Sequence, residues 1–157
     1  MASFDLEDFR DTLKAILVDN MVAKVAEINT EKGDTLLIVI PEAQYFQDFN
    51  KKLVNFKDFI YFGFLPFDPA ISTGGQFSQE VSMFFLTMVS DQGGGIVGEN
   101  KILRYTRAMA EIFQEHSSDN AMISDLEITP LPPDLIQIEP GAVWYKAGGV
   151  YVKGVIA

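Results

Sequence analysis

Gly93, Gly95 and Gly98 form a G-x-G-x-x-G pattern between an expected strand and an expected helix. Such glycines let a backbone approach a pyrophosphate, and the helix behind them points its partial positive end at it. Dinucleotide binding also needs a parallel βαβ unit and further crossovers. The residues after His116 read instead as hairpins broken by proline and glycine. Glu99 stands where the Walker pattern requires lysine, and its carboxylate would repel a phosphate held at this loop. The glycine run therefore reads as a surface loop, and no nucleotide cofactor is expected.

The remaining chemistry is sparse. His116 is the only histidine and falls at an expected helix C-terminus, where a cation is favoured by the helix dipole. No G-x-S-x-G is present, and no serine has a plausible base. The absence of cysteine excludes disulfides, thiolate metal sites and a cysteine nucleophile. Any metal ligands would have to be carboxylates. Asp5, Glu7, Asp8 and Asp11 cluster, but in a first helical turn, where acids stabilise the dipole. Glu111 and Glu115 have the i,i+4 spacing of half a carboxylate metal site, but a solvated helix face is much the favoured reading of them. Trp144 reads as core or interface filling. No catalytic, metal or cofactor residue is assigned, and the chain is not expected to be an enzyme.

The elements that would position these groups follow from periodicity. Asp5 is a good N-cap, with Asp8 three residues on. Leu6, Phe9, Leu13, Ile16 and Leu17 form one apolar stripe, so a helix is expected over 5–19, ending near Asp19 and Asn20. Residues 22–28 alternate as a strand would. Residues 31–34 read as a turn and 35–40 as a short apolar strand. Residues 42–57 carry Tyr45, Phe46, Phe49, Leu53 and Phe56 at helical spacing. A helix is favoured there over a loop with aromatic anchors.

An aromatic strand is expected over 59–65, then a turn-rich link over 66–75 and a long strand over 77–89 antiparallel to the first. A second helix covers 100–116, with Ile102, Tyr105, Met109, Ile112 and Phe113 on one side and Arg107 paired to Glu111. Strands follow over 121–129, 135–139, 143–146 and 150–156. Pro130, Pro132 and Pro133 break the first two apart, and Gly148-Gly149 serves as a hairpin turn between the last two. The order predicts one α+β domain with a mainly antiparallel sheet, an N-terminal helix and one amphipathic helix packed on the sheet.

The 77–89 strand carries a further signal. Phe77, Val81, Met83, Phe85 and Val89 share one face, while Ser78, Glu80 and Ser82 begin the other. That second face then turns apolar at Phe84, Leu86 and Met88. Each large apolar side chain contributes about 1.5–3 kcal/mol when fully buried, so something must cover these three. The cover is either the chain's own helices or a second copy of the chain.

Composition bounds the class. The 157 residues suffice for one domain with a real core, and thirteen phenylalanines supply bulk for it. No segment approaches a membrane span, and the acidic start lacks the basic region of a signal peptide, so a cytosolic location is the default. The net charge of −10 argues against wrapping nucleic acid. Between Ile71 and Gly98 the only charged residues are Glu80 and Asp91.

As an ordered set of elements, the chain resembles the tail terminator, or tail completion, proteins of long-tailed bacteriophages. The matching parts are the helix over 5–19, the strands over 59–65 and 77–89, the helix over 102–113 and the strands over 143–156. The resemblance covers most of the chain and rests on size, order and composition. It departs at 42–57, which is longer than the pattern expects.

The resemblance implies a virion structural protein, assembled in the host cytoplasm as a ring, usually hexameric. That ring caps the tail tube, ends its growth and joins it to the neck and head. Implied partners are further copies of the chain, the tail tube protein and a neck or head-completion protein. DNA passes through without specific binding, and no membrane is involved. Interface candidates are Phe84, Leu86 and Met88 on the strand, Phe67 in the 66–75 loop, and Asp91 and Glu99 around the glycine loop. Two alternatives stay open. One is another neck or tail-tube component. The other is a small α+β enzyme or ligand-binding domain with a pocket at Tyr61, Phe62, Phe64 and Phe67.

Overall fold

Asp5 starts the first helix by accepting hydrogen bonds from the backbone N–H groups of Glu7 (2.9 Å) and Asp8 (3.1 Å). A computed structural model of the chain describes residues 5–33, 46–48, 59–65, 70–71, 77–90, 96–117, 123–137 and 144–156. The helix, α1, spans Leu6–Lys32. It does not end near Asp19 and Asn20, and residues 22–28 are not a strand. Met21, Val25 and Ile28 extend the stripe of Phe9, Leu13 and Leu17, and all six are buried. The Asn20 amide turns back onto the Ile16 carbonyl at 2.8 Å, so it sits within the helix instead of ending it. Termination comes at Gly33, whose left-handed φ of 70° lets its N–H reach the carbonyls of Asn29 and Thr30.

The strands are β1 (Phe46–Asp48), β2 (Phe59–Phe64), β3 (Ala70–Ile71), β4 (Phe77–Ser90), β5 (Ile123–Gln137) and β6 (Trp144–Ile156). The second helix, α2, spans Ile96–Glu115. Strand order is β1-β2-β4-β6-β5, with β3 paired to the start of β4. The strands β2, β4, β6 and β5 form a four-stranded antiparallel sheet, and β1 adds to β2 in parallel. The fold class is α+β, with the N-terminal helix and α2 packed on the sheet. Within 42–57 the described part is strand β1, not helix. The other residues of that segment, and the strand expected over 35–40, lie outside the described residues.

Two expected breaks are absent. Residues 123–137 form one strand through Pro130, because β5 is the edge of the sheet. A residue without an N–H is tolerated where one side of the strand needs no ladder bond. Pro132 and Pro133 fall in a register shift between Leu131 and Asp134, a second shift lying between Ser124 and Glu127. Gly148 and Gly149 make no hairpin turn. They lie inside β6, opposite Thr87 and Leu86 of β4.

Both helices cover one face. Phe9, Leu13 and Leu17 of α1 and Tyr105, Met109 and Phe113 of α2 join Phe62, Val81, Met83, Phe85, Val150 and Val152 in one buried cluster. Phe85 lies at its centre, its ring 5.9 Å from Phe62 and 5.3 Å from Phe113. The alternation along β4 is as expected at 81–89: Val81, Met83, Phe85 and Val89 are buried toward the helices.

Thr87 shares that face and is 0% exposed, and its hydroxyl has no hydrogen-bond partner among the described residues. A buried hydroxyl left unpaired costs about 1–3 kcal/mol. Thr87→Val keeps the shape and removes that cost, so the variant is expected to melt about 2–12 °C higher, at about 2–4 °C per kcal/mol. A lower melting temperature would show that the hydroxyl is satisfied in solution.

Candidate functional site

The groups that could carry chemistry are placed by the two helices and by the sheet face turned away from them. The first is α2, which opens at Ile96, so Gly98 and Glu99 belong to its first turn. Glu99 is exposed there and complements the helix dipole. Gly93, Gly94, Gly95 and Asp91 lie outside the described residues, as does Phe67. The surrounding topology is a split crossover. β4 and β5 are each antiparallel to β6, which lies between them, so they run parallel without pairing. A dinucleotide site uses adjacent parallel strands, and this glycine run is not set between such a pair.

His116 follows α2 in a turn, half-buried, its backbone N–H bonded to the Ile112 carbonyl at 3.1 Å. Glu111 and Glu115 face cations. The Lys24 amine lies 2.6 Å from Glu115, 3.5 Å from Glu27 and 3.9 Å from Glu111. The Arg107 guanidinium donates to both carboxylate oxygens of Glu31, at 3.1 and 2.7 Å, and to Glu111 at 2.9 Å. Arg104 donates to Asn29 at 2.9 Å. These side chains tie α1 to α2. At the start of α1, Arg10 pairs with Asp11 at 2.9 Å and approaches Glu7 at 3.9 Å. No group of three metal-ligating side chains occurs among the described residues.

This network sets local proton affinities. The Arg107 hydrogen bond and charge hold the Glu31 carboxyl below its ordinary value. The Glu115 hydrogen bond raises the Lys24 amine, against the effect of burial. A lowered carboxyl stabilises the fold above its unfolded value and loses that contribution as pH falls through the folded one. A raised amine contributes fully below its unfolded value and loses it as pH rises through the folded one.

Melting temperature is therefore expected to decline on acidification below about pH 4.5. Glu31→Gln should flatten that acid limb. The change should be small, because exposed ion pairs are screened, and smaller still in high salt. An unchanged acid limb in Glu31→Gln would rule out this role for the pair.

The sheet face away from the helices holds the interface candidates of β4. Phe84 is 7% exposed, Met88 is 0% exposed and Leu86 is half-buried. The cover of Phe84 and Met88 is neither α1 nor α2. Both helices pack on the opposite face, and the single chain already buries these two side chains. The Tyr61 ring stands 6.0 Å from Phe84. Tyr61 and Phe62 thus point to opposite faces of β2, so the aromatic set proposed as a pocket is divided. Phe64 is partly exposed.

Further along this face, Lys153 lies between Glu80 (3.5 Å) and Glu127 (3.3 Å), linking β4, β6 and β5. The hydrogen bond to Glu127 leads the effects that raise its amine. Sequence reasoning did not find this set or the Lys24 set. Cross-strand register was needed for the first, and Lys24 sat in a segment read as strand.

The fold and these surfaces define an α+β protein with a split crossover, helices on one face and a partly open second face. Comparison of the chain with protein-family models, curated proteins and solved structures finds no match. No helix among the described residues is long and apolar enough to cross a membrane.

Proposed function

We propose that this chain is a structural, non-catalytic component of a phage tail. It forms a ring that caps the tail tube, ends its polymerisation and joins it to the neck. The observation that carries the reading is the order of elements: an N-terminal helix, an antiparallel pair β2–β4, the helix α2 on the sheet and the closing strands β5 and β6. That order is the outline of the tail terminators. Two features agree with it. The described carboxylates that resembled half a metal site face cations from α1 and α2. The acidic chain suits a channel through which DNA moves without adhering. A closed ring uses two different patches of each subunit, one meeting the other around the symmetry axis. Leu86, with the open part of its face, is the first patch to test.

The expected result is a ring-sized mass by light scattering and a closed ring by negative-stain microscopy. Deleting the protein from a producing phage should give tails of irregular, excess length and heads that fail to join them. A monomer at all concentrations, together with normal tails in the deletion, would overturn the proposal.

A further inference from the structure

We draw no further inference here: the strongest candidate, the sheet face turned away from both helices, where half-buried Leu86 and the 38% exposed Tyr151 lie beside the Glu80–Lys153–Glu127 ion pairs, is an unpartnered surface, and nothing in the structure shows what covers it.

Discussion

Gly149→Ala is expected to be the most damaging alanine substitution among the glycines whose surroundings are described. A Cβ built on Gly149 falls on the carbonyl oxygen of Phe85 and comes within 2.9 Å of the Leu86 Cα. Both obstacles are backbone atoms of β4, so no rotamer change relieves them. β4 and β6 would have to part at the centre of the sheet, where they pair from Gln79 to Ser90. Overpacking a core costs about 1–3 kcal/mol when side chains can shift, and a backbone clash exceeds that range. A loss above about 3 kcal/mol lowers the melting temperature of a chain this size by about 6–12 °C or more.

Two other glycines calibrate the effect. At Gly148 the nearest obstacle is Ile102 Cγ2 at 2.6 Å, a side-chain atom, so Gly148→Ala should cost less. At Gly33 nothing lies within 4 Å, and only the left-handed φ opposes a side chain. Gly33→Ala should cost about 1–2 kcal/mol. Thermal melts of the three variants check the order. A Gly149→Ala protein melting like the wild type would exclude the Leu86–Gly149 register.

The same pair of glycines shows where sequence reasoning stops. Gly148-Gly149 has the composition of a hairpin turn, and local chemistry alone favours that reading. The actual reason for glycine is the approach of β4 and α2, contacts with residues some 46 to 64 positions away in the chain. Pro130, Pro132 and Pro133 misled for a related cause. Proline is incompatible with a central strand but not with an edge, and strand order is a tertiary property.

In α1 the error was one of competing periods. As a strand, residues 22–28 would mix apolar and charged side chains on both faces, with Val22, Lys24 and Ala26 on one, whereas Met21, Val25 and Ile28 complete the helical stripe and are buried. The parts that were legible are those whose signal is local and strongly periodic: the Asp5 cap, the first half of α1, the stripe of α2 and the β2–β4 pair. The alternation of β4 was legible as well. What buries Phe84 and Met88 was not, because solvent exposure depends on the whole fold.

Replacing Phe84 and Leu86 by aspartate separates folding from assembly. Phe84 is buried in the single chain against Tyr61. Losing a buried phenylalanine side chain costs about 3–5 kcal/mol, and an unpaired carboxylate in its place adds a desolvation cost. Total stability for a domain is about 5–15 kcal/mol, so Phe84→Asp is expected to abolish the cooperative unfolding transition or bring it near room temperature. This outcome does not depend on any partner.

Leu86 is half-buried on the same face, so an aspartate there can turn toward water. Leu86→Asp should remain folded and lose only a few degrees, at about 2–4 °C per kcal/mol. If the proposed ring uses this face, the same variant should run as a monomer where the wild type runs as a ring, because assembly would bury the charge. Circular dichroism melts and light scattering on the two proteins distinguish the effects. A folded Leu86→Asp protein with the wild-type mass removes Leu86 from the subunit contact and sends the search to another surface. A Phe84→Asp protein that melts like the wild type would mean that the second face is open to water in the single chain. The covering of Phe84 and Met88 would then have to come from another copy.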